Sequence, residues 1–239
     1  MKVSLARANL SYLVLFSAPS LELLPLSLPM LKALHEGLSQ EVRLQANDMS
    51  INAGPAISDF RMQVRMPSVS GYVELTASQA EVRFSQLTQE AQIAMARRCI
   101  GLADTTIWTN LQKTRPINSW LRLTAWFRAQ NGREEAVRFL NEMSQPSPHL
   151  RERLKQNILL SFKTIKIDYA DKANNWTAAV VLEESQNAEA DLFVDCTVNY
   201  SNPEFCASID ARLSHFGSTL KDLALSLNLD DTPAESRPS

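Results

Sequence analysis

Residues 71–84 read GYVELTASQAEVRF, and residues 178–196 read AAVVLEESQNAEADLFVDC. Each stretch is two runs of alternating apolar and polar residues meeting near a Ser-Gln pair. A period of two buries one face of a strand and leaves the other in water, so each stretch specifies an antiparallel hairpin. Hairpins in both halves of a 239-residue chain commit much of it to antiparallel sheet.

The neighbouring segments extend both sheets. In DFRMQVRM (59–66), Phe60, Met62, Val64 and Met66 point one way and Arg61, Gln63 and Arg65 the other. EVRLQANDMSIN, with Val42 and Leu44 in phase, reads as a further strand, as does LSYLVLFS (10–17) near the N-terminus. That early run follows Lys2 and Arg7 as a leader peptide's would. It is short, broken by Ser11 and Tyr12 and closed by Pro19, so it reads as a first strand.

Helical stretches separate these strands. A helix is predicted from near Ser27 to Ser39, with Pro29 in its first turn and Leu31, Leu34 and Leu38 as its stripe. Another runs over LTQEAQIAMARRCIGLAD, with Thr88 as cap and Ala91, Met95, Cys99 and Leu102 along one face. Residues 103–118 show no period and contain Pro116, so they read as the boundary between two units.

Beyond that boundary the order recurs. SWLRLTAWF is a strand with Leu121, Leu123, Ala125 and Phe127 in phase. REEAVRFLNEMS is a helix, followed by a second helical stretch over QPSPHLRERLKQN. ILLSFKTIKIDY leads into the second hairpin, and NPEFCASIDARLSHFGSTLKDLALSLNL reads as a helix capped by Asn202, with Phe205, Ile209, Leu213 and Phe216 as its stripe. Leu13 and Leu15 align with Leu121 and Leu123, and Leu75 with Leu182, at offsets of 108 and 107 residues. The expected fold is therefore α+β, two tandem, duplicated strand–helix–meander–helix units with antiparallel sheets packed against helices. The first unit spans 1–104, the linker 105–118, the second unit 119–229 and a polar tail 230–239.

Composition removes several function classes. Net charge is −2, and the halves carry 11 Lys/Arg against 9 Asp/Glu and 13 against 17, so no global field selects nucleic acid or an anionic membrane. Only six glycines occur, and no P-loop, G-x-G-x-x-G, H-E-x-x-H or G-x-S-x-G pattern is present. No apolar run reaches the ~18 residues of a membrane span. His35, His149 and His215 lack ligand spacing, and Cys99, Cys196 and Cys206 form no C-x-x-C, so no metal or cofactor is expected. Reduced, buried thiols fit a cytoplasmic protein. Cys206 and His215 lie nine residues apart on one predicted helix, too far to form a thiol–base pair. Glu183, Glu184, Glu189, Asp191 and Asp195 form an acidic run read as solvated surface.

Two groups of residues are left as candidates. Trp120 and Trp126 fall in the phase opposite to Leu121 and Ala125, and Trp108 lies in the linker. Aromatics on a second strand face need something to cover them, whether the other unit, a ligand or a partner chain, so Trp108, Trp120 and Trp126 are interface candidates. Arg61, Arg65, Arg97 and Arg98 are a candidate patch for an anion or an acidic partner. No catalytic residue stands out. The primary expectation is a non-enzymatic cytoplasmic protein acting through macromolecular interaction, as an adaptor or complex subunit, with a protein partner or a homo-oligomer. An alternative is an apolar-ligand-binding protein or enzyme with a pocket between sheet and helix, using Asp168, Tyr169 or a cysteine. A third is a nucleic-acid-associated protein with a basic sheet face.

Overall fold

The computed structural model describes residues 1–144, 164–171, 176–201, 208–226 and 230–231. Among these residues the chain forms an antiparallel sheet and four helices. In order they are β1 (Lys2–Phe16), α1 (Leu23–Leu38), β2 (Met49–Asn52), β3 (Arg61–Met66), β4 (Gly71–Thr76), β5 (Gln79–Leu87), α2 (Glu90–Asn110), β6 (Pro116–Ala129), α3 (Arg133–Met143), β7 (Thr164–Asp171), β8 (Trp176–Glu184), β9 (Leu192–Tyr200), α4 (Ile209–Ser226) and β10 (Asp230–Asp231). The α+β expectation holds.

One sheet joins the two halves. Its order is β2-β3-β4-β5-β1-β6-β9-β8-β7, with β10 parallel to the start of β1. The two longest strands, β1 and β6, pair antiparallel along nearly their whole length, from Val3 opposite Ala129 to Phe16 opposite Pro116. Outward from that pair, β5, β4 and β3 follow on one side and β9, β8 and β7 on the other.

All four helices lie on one face. Leu10, Tyr12 and Val14 of β1, Val82 and Phe84 of β5, Leu121 of β6 and Cys196 and Val198 of β9 are buried beneath them in one continuous core. Burial of these side chains against helix stripes such as Leu31, Leu34 and Leu38 is the main force holding the layers together. The opposite face of the sheet carries no described helix.

Local chemistry explains where the elements differ from expectation. Helix α1 begins at Leu23, four residues before the expected Ser27, because Pro25 falls in the first turn, where a backbone N–H has no intrahelical partner to lose. Pro29 stands inside the helix. Helix α2 starts at Glu90 and runs on to Asn110, through residues 105–110 that had read as linker; Trp108 is therefore helical. The missing period has a cause: Asp104 faces the core and interrupts the apolar stripe, while Thr106, Thr109 and Asn110 bond carbonyls one turn back. The segment read as a strand around Val42 and Leu44 is irregular, and the strand begins at Met49. The stretch around QPSPHLRERLKQN, the Asn202 cap with Phe205 and Cys206, His149 and the end of the tail lie outside the described residues.

The phase of β1 also differs. Tyr12, Val14 and Phe16 face the helices, whereas Leu13 lies on the bare face opposite Trp120. Leu13 thus cannot be the positional counterpart of buried Leu121. An offset of 107, the one Leu75 and Leu182 already share, sets Val14 on Leu121 and Phe16 on Leu123, which keeps the phase.

Candidate functional site

The face without a described helix, here the helix-free face, is lined by rows of cross-strand neighbours. One row runs Arg65, Tyr72, Arg83, Ser11, Arg122 and Thr197 across β3, β4, β5, β1, β6 and β9. Beside it, Leu13 stands opposite both Glu81 and Trp120, and Trp120 opposite Asn199. Toward the other end of β6, Arg7, Trp126 and Phe193 are direct neighbours. A groove of about 610 Å³ crosses this face between the two tryptophans, floored by Asn9, Ser11, Thr124 and Thr197.

Trp120 and Trp126 share this face because they are six residues apart on one strand, an even number, which also separates them by about 20 Å. Both are half-buried. The Arg7 guanidinium lies 4.2 Å from the Trp126 ring centroid and the Phe193 ring 5.0 Å from it, a cation–π and aromatic cluster. Among the described residues neither indole N–H donates a hydrogen bond. Asn118 and Asn199, next to Trp120 along and across the strands, each bear a side-chain oxygen with no hydrogen-bond partner among the described residues.

A β-bulge shapes the same face. Gln86 adopts a left-handed conformation (φ 59°), and its backbone N–H donates to Asn9 Oδ1 at 3.0 Å. Asn9 Nδ2 in turn donates to Thr124 Oγ1 at 3.1 Å, so one side chain ties β5, β1 and β6 together.

Of the four candidate arginines, Arg61 and Arg65 lie on the helix-free face, with Arg61 near Glu74 (3.5 Å) and Arg65 donating to Gln63. Arg97 and Arg98 belong to α2 on the opposite side. Arg98 pairs with Glu41 at 2.8 Å, and Arg97 donates to the Leu213 carbonyl of α4. The four do not share a surface. Arg7, Arg83 and Arg122 stand with Arg61 and Arg65 instead; only pairing across strands distant in sequence reveals that company.

Trp108 sits on the covered side, edge-on to Phe16 (5.8 Å), apart from Trp120 and Trp126. Its indole donates to Asp104 Oδ1 at 2.8 Å, joining a buried polar cluster. The Tyr12 hydroxyl donates to the same oxygen at 2.6 Å. Arg212 of α4 donates through Nη1 to Tyr12 Oη (2.8 Å) and Ser119 Oγ (3.0 Å), and its Nη2 lies 3.5 Å from Asp104 Oδ2. Burial pushes the Asp104 carboxyl upward, opposed by the Arg212 charge; Tyr12 is likewise raised by burial. A half-open cleft of about 490 Å³ borders this cluster, with Thr105, Thr114, Ile117 and Asp210 also on its walls. Its titratable groups bond one another, which makes the cluster a tie between halves.

The remaining candidates fall away from both places. Cys99 and Cys196 are buried free thiols, pushed up to about 11 and about 12 by burial, with added repulsion from Glu41 and Asp195 respectively. His215 touches Tyr200 Oη (3.0 Å) and the edge of Trp176. Asp168 is exposed on β7; the Tyr169 side chain lies outside the described residues. The acidic run disperses: Arg122 holds Asp195 at 2.6 Å, Arg133 holds Glu184, and Asp191 Oδ2 accepts the Ala129 N–H. Among the described residues no group of three His, Cys, Asp or Glu side chains could hold a metal, and no helix is long and apolar enough to cross a membrane. Comparison with models of known protein families finds no match, and no curated protein sequence is significantly similar to the chain.

Proposed function

We propose that this chain is a non-enzymatic cytoplasmic protein that binds a protein partner across the helix-free face of its sheet. The observation that carries the reading is the pair Trp120 and Trp126, half-buried on a face without a described helix, with two indole N–H donors that no described residue accepts. Large aromatics with a free polar edge are the side chains that anchor protein interfaces. Burial of Cys99 and Cys196 as free thiols fits a reducing compartment.

A protein fits this face better than nucleic acid does. Arg122 and Arg61 already face Asp195 and Glu74, so two of the five arginines on this face are paired within the sheet. Phosphate binding draws on uncompensated cations. We further read the chain as a duplication: strand order outward from β1 mirrors that outward from β6, and the offset of 107 keeps Val14 and Leu121, and Leu75 and Leu182, on the covered face.

The test uses the tagged full chain on native-cell extract, with and without nuclease, followed by mass spectrometry. A stoichiometric protein should be retained by the wild type and by the α1 surface control Lys32→Ala, and lost from the Trp120→Ala/Trp126→Ala double variant. No such protein, or one indifferent to both tryptophans, refutes the reading; a nuclease-sensitive capture points to nucleic acid instead.

A further inference from the structure

The two ends of the sheet are unlike. Strand β2 is four residues long and runs into Gly54-Pro55, a short edge of the kind that resists further pairing. Strand β7 is eight residues long and, among the described residues, pairs only with β8. Its Ile165 and Ile167 face the helix side and are only partly covered there. Lys166 and Asp168 face the other side, both about three-fifths exposed, with Nζ and Oδ2 3.3 Å apart. A long edge with half-covered isoleucines is an open template for another strand.

We infer that β7 pairs with β7 of a second copy of this chain, antiparallel about a two-fold axis at Ile167, so that two sheets become one. This inference is independent of the reading given for the helix-free face. The register follows from charge. For the helices of both copies to stay on one side, opposite residues must share a face, so the axis passes through a residue of β7. With the axis at Ile167, Lys166 stands opposite the partner's Asp168 and Asp168 opposite the partner's Lys166, giving two attractive cross-strand pairs. Residues 164–170 all find partners. Moving the axis one residue back sets Lys166 against its own copy; moving it one residue on sets Asp168 against its own copy. Each neighbouring register replaces attraction with like-charge contact, and the backward one also shortens the overlap to residues 164–168. The sequence Ile-Lys-Ile-Asp thus carries its own complement when read antiparallel, the requirement for an isologous two-fold contact.

The test is sedimentation equilibrium of the full chain. Wild type should reversibly reach twice the chain mass at micromolar to sub-millimolar concentration. Lys166→Asp and Asp168→Lys should each weaken the dimer about tenfold or more, because two attractive pairs become repulsive. The double variant Lys166→Asp/Asp168→Lys restores complementarity with the signs exchanged and should recover wild-type association. Circular dichroism would check that each variant is folded, and hydrogen exchange of the β7 amides should speed up as wild type is diluted. A wild type that stays monomeric overturns the proposal. So does a dimer that ignores the single reversals, or a double variant no better than the singles.

Discussion

Arg212 donates to the hydroxyl oxygen of Tyr12 at 2.8 Å, although 200 residues separate them. Tyr12 lies on the first strand and Arg212 on α4, so the bond crosses between the two halves. With Asp104, Trp108 and Ser119 it forms a polar knot inside a core that is otherwise apolar. Such a knot stabilises while complete and penalises the fold once a member is lost, since the remaining charge is then buried alone.

Arg212→Met should therefore cost about 3 kcal/mol or more, read by urea unfolding. The pH dependence gives a second check. Burial raises the Asp104 carboxyl in the folded state and Arg212 pulls it down. A raised folded value means the native state holds the proton longer than the unfolded one, so stability falls as pH rises above the ordinary aspartate value of about 3.9. Without Arg212 that fall should steepen, and Asp104→Asn in the same background should flatten it.

His215 should act in the opposite sense. Burial lowers its folded value, with Asp171 opposing. The unfolded chain then takes the proton first, so this contribution to stability is lost on acidification from about pH 6.5 downward. Thermal melts of His215→Asn between neutral and mildly acid pH should show a shallower slope than those of the wild type.

Two backbone positions should respond with opposite signs. A Cβ on Gly71 would lie 2.6 Å from the Phe84 ring, which is fully buried and paired across from it, so Gly71→Ala should destabilise by about 1–3 kcal/mol. Gln86 occupies a left-handed conformation that glycine adopts without strain, so Gln86→Gly should be neutral or gain up to ~1 kcal/mol. Thermal unfolding of the two variants measures both.

Native Cys99 and Cys196 should resist iodoacetamide at neutral pH and react fully once unfolded. Both are buried, and thiols pushed up to about 11 and about 12 hold almost no thiolate. Peptide mass spectrometry after timed labelling would show it; rapid labelling of either under native conditions would place it nearer the surface.

Elements with a single clear period were legible in the chain itself. Phe60, Met62, Val64 and Met66 alternate and are all buried; Leu31, Leu34 and Leu38 form a helix stripe and are buried too. That Trp120 and Trp126 share a face, opposite to Leu121 and Ala125, followed from parity alone. Composition and local pattern settle such features because a strand has two faces and water covers one of them. Tertiary structure decided the rest. LSYLVLF is apolar on both sides, so its phase could not be read until pairing with β5 and β6 placed Leu13 on the bare face. Asp104 hid the continuation of α2, because besides Trp108 on the same helix its carboxylate is satisfied by Tyr12 of β1 and Arg212 of α4, which no local window contains. The row Arg65, Arg83, Arg122 exists only because β1 and β6 join two halves edge to edge. Pairing between residues a hundred positions apart leaves no periodic trace in either segment, so the company those side chains keep is a property of the folded sheet.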